Sequence, residues 1–348
     1  MRNGFTICDA HCHIYPEKIA ARAVAGTDNF YGEHSTGLGT VADLLRRGGD
    51  AGIDHFIVQS VATTPRQVRR INEFIAAEVA QGGGRLTGLG TLHPESEDIA
   101  GDVAHLLSLG LRGVKLHPDI QKFKIDDFRC LKIYELCEGR LPILMHTGDY
   151  RYDFSNPNRL LPILKIYQGL TVIGAHLGGW SIWEDASRQL AGVPNLYVDC
   201  SSSFPYLKPA QAREIILRYG AERVLFGTDY PMWTPQSELD YFFALELGDE
   251  ANRRILSENV FRLFGITKRG GINPPLFLVA TLYWRCILQL IFADVAECNV
   301  KTALLPQYAT LKPNHAAKRN VFVPQLHIAT PASWLVANRN THQTSSLH

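Results

Sequence analysis

Eight short apolar runs recur along the first 266 residues, at 5–10, 55–61, 86–92, 113–116, 143–145, 171–175, 196–198 and 224–226. Each is nearly continuous in aliphatic and aromatic residues rather than alternating with polar ones, as a parallel strand covered on both faces requires. Helical patterns separate them. At 66–81, Val68, Ile71, Ile75 and Val79 share one stripe that stops at Gly82-Gly83-Gly84. The stretches 95–109, 126–138, 208–219 and 249–264 behave likewise, while Pro162 predicts that a helix over 159–168 is short or starts late. A strand–helix beat repeated eight times over about 260 residues is the rhythm of a (β/α)8 barrel, an α/β fold, although an open doubly wound sheet would give a similar string. The stretch 14–40, with Gly26, Gly32, Gly37 and Gly39, predicts a long irregular loop at the barrel mouth.

Charge divides the chain where the beat stops. Residues 1–266 carry 27 Lys and Arg against 32 Asp and Glu, net −5, whereas 267–348 carry 8 against 2, net +6. Thr267-Lys268-Arg269-Gly270-Gly271 reads as a linker between a barrel domain, 1–266, and a basic C-terminal tail, 267–348, without clear period. The apolar segment 276–296 is interrupted by Arg285, Gln289 and Asp294, which makes it a poor membrane span. Seven cysteines, an odd number with no Cys-x-x-Cys, argue against a disulfide framework and for a reducing, cytoplasmic location. The near-neutral total, +1, gives no whole-chain reason to expect nucleic acid.

Polar residues that close the apolar runs carry the chemistry. His11 and His13 lie two apart at the first run and share a face of a strand. His146 closes the fifth run, His176 the sixth, and Asp229 follows the eighth. In a parallel barrel the strand C-termini open on one face, so these five side chains converge there. Three or four imidazole nitrogens and one carboxylate suit a divalent ion, Zn2+ first, with Mn2+, Fe2+ or Co2+ as alternatives. Such an ion lowers the pKa of water from about 16 toward ~7. Asp229 is then placed to orient the water and move its proton, and His176 to hydrogen-bond the reacting oxygen. Lys115 and His117 share a face of the fourth strand and suit a substrate carboxylate; alternatively Lys115 pairs with a barrel acid and His117 caps the turn at Pro118. Arg151 and Tyr230 follow strand ends and are expected to line the pocket.

The motifs Asp9-Ala10-His11-Cys12-His13, Gly113-Val114-Lys115-Leu116-His117-Pro118, Met145-His146-Thr147-Gly148, Gly174-Ala175-His176-Leu177-Gly178-Gly179 and Phe226-Gly227-Thr228-Asp229-Tyr230-Pro231 occur in that order. Together they resemble the amidohydrolase-related family, metal-dependent TIM-barrel enzymes whose branches include aminocarboxymuconate-semialdehyde decarboxylase. The resemblance covers 5–266 and implies that His11, His13 and His146 are metal ligands. It also implies that Asp229 binds the metal and handles a proton. By the same resemblance, His176 is a second-metal ligand or an acid–base group.

The expected activity is a metal-dependent hydrolase cleaving a C–N or C–O bond of a small anionic or cyclic substrate. The alternative is a non-oxidative decarboxylase of a small aromatic or unsaturated acid. The expected partners are a small-molecule substrate, with no nucleic acid and no membrane for the barrel, and a homodimer as an option.

Overall fold

The first apolar run becomes β1 (Cys8–His13), beginning and ending three residues later than its hydrophobicity suggests, so the histidines sit inside the strand. The computed structural model describes residues 2–266; the expectations for 267–348 fall outside the described residues. β1 is followed by β2 (His55–Gln59), β3 (Leu86–Gly88), β4 (Gly90–Thr91), β5 (Val114–Leu116), β6 (Ile143–Met145), β7 (Val172–Gly174), β8 (Leu196–Asp199) and β9 (Val224–Leu225). Each pairs in parallel with the next in chain order, except that β3 and β4 do not pair with one another.

β3 and β4 are two halves of one strand on either side of Leu89, whose N–H donates to the Val58 carbonyl at 2.9 Å. The described residues therefore fill eight strand positions. The ring closes where Ala10 N–H donates to Phe226 O at 2.8 Å and His13 N–H to Tyr230 O at 2.6 Å. This is a (β/α)8 barrel. The open-sheet alternative fails on those closing bonds.

The strands alternate with helices: α1 (Glu17–Tyr31), α2 (Val41–Asp50), α3 (Val68–Gln81), α4 (Ile99–Ser108), α5 (Pro118–Gln121), α6 (Leu131–Cys137), α7 (Pro157–Ile166), α8 (Trp183–Leu190), α9 (Pro209–Tyr219), α10 (Pro235–Phe243), α11 (Asp249–Arg253) and α12 (Asn259–Phe264). A larger core lies between sheet and helices. A smaller one fills the barrel, where Cys8, Ala10, Ile57, Leu89, Leu144, Ile173 and Leu225 meet Val260 and Phe264 of α12. The Phe261 ring stands edge-on to His55, at the start of β2, so α12 plugs the N-terminal end.

Two local expectations are corrected. The segment 14–40 is not one irregular loop: α1 occupies fifteen of its residues. Its Ala20-Ala21-Arg22-Ala23-Val24-Ala25 run has high helix propensity, which outweighs Gly26, and Gly32 at φ 73° ends it with its N–H on Asp28 O. Only Ala20 is fully buried, so no apolar stripe announces the helix. The helix containing Pro162 starts early rather than late, because the Asn156 side chain caps it and Pro157 sits where a missing N–H costs nothing.

β1 carries the irregularity that matters most. Its register against β2 shifts between Asp9 and Cys12. Cys8 and Ala10 face the barrel interior, so strict alternation would send His11 outward. The bulge reverses the parity: His11 and His13 turn inward, and Cys12 packs into the outer core. The buried Asp9 carboxylate holds the bulge, accepting from His11 N–H at 3.1 Å and Thr228 N–H at 2.9 Å.

Candidate active site and metal centre

The C-terminal ends of the strands surround a cavity of about 740 Å³. His11, His13, Lys115, His117, His146, His176 and Asp229 line its floor. The backbone re-aims two of these groups: His176 and Asp229 adopt left-handed conformations at φ 59° and 56°, strain of the kind that persists where surrounding structure enforces it.

His11, His13 and Asp229 form one tight group. Nε2 of His11 lies 3.2 Å from Nε2 of His13, and Asp229 Oδ1 lies 3.3 Å and 3.5 Å from these two nitrogens. Asp229 Oδ2 accepts from the Ser202 hydroxyl at 2.6 Å. Burial alone would raise the Asp229 pKa, but His11, His176, His13 and the Ser202 hydroxyl hold it well below the ordinary carboxylate range. His176 and His146 form the opposite wall, with Nε2 of His176 3.1 Å from Nδ1 of His146.

The hydrogen-bond partners decide which nitrogens are free. His11 Nδ1 lies 3.0 Å from Asp199 Oδ2, which only accepts, so Nδ1 carries the proton and Nε2 presents its lone pair. His176 Nδ1 donates to the Ser201 carbonyl at 3.0 Å, leaving its Nε2 unprotonated as well. Burial lowers the His13, His146 and His176 pKa values, the last to about 4, which keeps the rings neutral. The His11 and His13 nitrogens beside the ionised Asp229 carboxylate fit a divalent cation, while His176 Nε2 accepts from His146 Nδ1–H, and His146 Nε2 groups with His117 and Asp119 instead. Asp199 behind His11 supplies the outer carboxylate that such ligands commonly carry.

The other expected site residues are placed as follows. Lys115 is fully buried, its Nζ 3.0 Å from His11 Nε2; burial lowers its pKa to about 8, opposed by the charges of Asp229 and Asp199. His117 stacks on His146 with ring centroids 4.0 Å apart, and its Nδ1 accepts from Ile120 N–H, so it also caps the turn. Arg151 and Tyr230 are not among the cavity-lining residues. Arg151 is tied to both Asp149 oxygens and donates to Phe30 O at 2.8 Å. The Tyr230 hydroxyl donates to Asp43 at 2.9 Å and accepts from Gly39 N–H, pinning the segment after α1.

Three groups escape a reading of the sequence. Asp199 ends β8 and orients His11. Asp119 sits 3.5 Å from His146 Nε2, its pKa pushed up to about 7 chiefly by burial. Tyr31, on α1, meets His117 Nε2 at 2.8 Å. Because His117 Nδ1 is an acceptor, its Nε2–H donates to Tyr31, whose own hydroxyl proton remains free to point into the cavity. Asp199 was the most legible of the three, since it closes the seventh apolar run.

The amidohydrolase family pattern matches residues 8–266, the range within which all the strands and these groups lie. The chain belongs to the amidohydrolase family. Solved structures similar to this member share the barrel. One is an uncharacterized TIM-barrel protein from Bordetella bronchiseptica, 22% identical over 74% of this chain and 98% of that one, TM-score 0.63. Another is 5-carboxyvanillate decarboxylase from Sphingomonas paucimobilis, 16% identical over 76% and 100%, TM-score 0.60. A third, from Pseudomonas putida, is assigned as a 2-pyrone-4,6-dicarboxylic acid hydrolase, 20% identical over 75% and 98%, TM-score 0.54. No curated protein matches the chain. Among the described residues no helix is long and apolar enough to cross a membrane.

Proposed function

We propose that this amidohydrolase-family chain is a metal-dependent hydrolase of a small organic acid derivative, an ester, lactone or amide. The observation that carries this is Asp229. Its carboxylate lies beside the His11–His13 pair on the cavity lining, accepts from Ser202, and is held ionised. That is the state of a proton acceptor for water. His11, His13, His146, His176 and Asp229 would hold the ion, with zinc favoured by the nitrogen-rich set. When bound, a divalent ion supplies Lewis acidity at the reacting carbonyl and a water of depressed pKa.

The chain's own groups supply the rest. Asp229 takes the water's proton and returns it to the leaving group. Lys115 pairs with a substrate carboxylate, and the free Tyr31 hydroxyl donates to the substrate. α1, lying along the cavity, limits access of bulk water.

A second reading, non-oxidative decarboxylation, is favoured by a different observation. Lys115 is a buried cation beside the metal ligands, suited to grip a carboxylate that leaves as CO2. The named activity of the Sphingomonas neighbour is of this kind. Turnover of esters, lactones, amides and aromatic acids in 18O-labelled water separates the two. Hydrolysis places the label in the organic product, whereas CO2 release without organic label supports the second reading. Asp229→Asn is expected to lose turnover on either route. Full activity of that variant would contradict the proton role.

A further inference from the structure

The cavity changes chemistry from floor to rim. Above the metal-ligand candidates its wall is apolar, formed by Ile19, Ala23, Phe30, Ile71, Phe74 and Ile120. At the rim stand Arg22 from α1, Arg66 from the short turn Pro65–Gln67, and Arg70 from α3. All three are exposed. Among the described residues none of the three has an ion-pair or hydrogen-bond partner. Arg69, between Arg66 and Arg70 in sequence, points elsewhere and is paired with Asp102 at 2.9 Å.

Arg66 and Arg70 are like charges four apart, an arrangement that is unfavourable unless an anion joins them. The turn that carries Arg66 is ordered, since Gln67 Oε1 accepts from Thr63 N–H at 2.8 Å and Thr64 N–H at 3.0 Å. Four cations, Arg22, Arg66, Arg70 and Lys115, line the cavity against one acid, Asp229. This local excess opposes the sign of the barrel domain, where Asp and Glu outnumber Lys and Arg by 32 to 27. A volume of about 740 Å³ lies in the upper half of the range for drug-sized ligands, roughly 300–1,000 Å³, and exceeds what a single-ring acid fills.

We propose that the substrate is an elongated acid carrying a second oxyanion. Its reacting end meets the His11–Asp229 centre, its apolar middle lies along α1 and α3, and its distal carboxylate or phosphate is held by Arg22, Arg66 and Arg70. This rests on the reading of the floor as the reacting centre. The arginines set specificity by length and charge: one oxyanion is anchored at each end, and the apolar wall selects the spacer. Guanidinium groups suit this because they bind carboxylate and phosphate with paired donors.

The test is calorimetric titration of the metal-loaded protein with decanoate, decanedioate and the matching ω-phosphono acid, and with butyrate and succinate as short controls. For the wild type, a distal oxyanion should strengthen binding of the ten-carbon acid about tenfold, and the short diacid should show no such advantage. The double variant Arg66→Gln/Arg70→Gln changes exposed, unpartnered side chains and is expected to fold. It should abolish the advantage while holding decanoate affinity. A preference for the phosphono acid over the diacid, or the reverse, supports the proposal and identifies the oxyanion.

Equal affinity of decanoate and decanedioate, binding of neither, or an advantage that survives the double variant overturns the proposal. The floor is tested separately with His11→Ala/His13→Ala. Decanoate binding that persists there contradicts the metal-centre reading, while the rim is judged on the wild-type and double-glutamine difference alone.

Discussion

Asp199 Oδ2 lies 3.0 Å from His11 Nδ1, and both side chains are fully excluded from solvent. Burial raises the carboxyl pKa, yet His11, His176 and the Ser201 hydroxyl together hold it at about 2. This pair decides which His11 nitrogen faces the cavity. Asp199→Asn keeps the shape but offers an amide that can donate to Nδ1 and reverse the tautomer. Metal affinity is expected to fall roughly 10–100-fold, the usual cost of losing such a partner. Competition titration with a chromogenic chelator checks this, and unchanged affinity would remove Asp199 from the centre.

Arg151 acts on α1 rather than on the cavity. Its guanidinium is clamped by Asp149, donates to Phe30 O, and lies 5.0–5.5 Å from the ring centroids of Phe30, Tyr31, Tyr152 and Trp180. Arg151→Met keeps the stem but loses the clamp. Faster proteolytic cleavage within 17–40 and a raised KM are expected, because Phe30 and Tyr31 lose their anchor. An unaltered cleavage pattern would contradict the clamp.

Gly148 follows His146 at φ 81°, and a Cβ there would stand 2.4 Å from the Gly179 carbonyl carbon and 2.5 Å from Trp180 N. These are backbone atoms in the loops after β6 and β7, so a side chain must push the two loops apart. Gly148→Ala is expected to destabilise by about 2 kcal/mol or more through clash and strain. It should also weaken metal binding by displacing His146 from His176. Thermal unfolding with and without metal reads both effects.

Acid sensitivity has a contributor far from the cavity. His55 lies at the N-terminal end of the barrel, at the start of β2, its Nε2 2.9 Å from Thr87 Oγ1; burial first, and the charge of Arg85 second, hold its pKa at about 4. The unfolded chain takes up this proton below about pH 6.5. Stability from this group is therefore complete above pH 6.5 and is lost as the pH falls toward 4, by on the order of 2–3 kcal/mol. His55→Gln should flatten that part of the profile. Urea midpoints at pH 7.5 and 4.5 for both proteins check the sign, and parallel losses in both would contradict it.

The barrel was legible because each strand is buried on both faces, which leaves an apolar run that no loop interrupts. His11, His13, His146, His176 and Asp229 were visible because they break such runs at the same end. The bulge in β1 was not, since it depends on Asp9 bonding to Thr228 across the closing seam, a contact between residues 219 apart. α1 was hidden because its inner side meets a cavity rather than a core. Arg151 and Tyr230 looked like cavity residues because they follow strand ends, but nearby acids, Asp149 and Asp43, turn them aside.

Side chains from β1 and from the segments just after β6, β7 and β9 are proposed to share one cation. The most direct measurement is anomalous diffraction at the zinc or manganese edge from crystals of the metal-loaded protein. The expected result is a peak about 2.0–2.3 Å from His11 Nε2, His13 Nε2 and Asp229 Oδ1, facing His146 and His176. A peak elsewhere in the barrel, or none after loading, would contradict it.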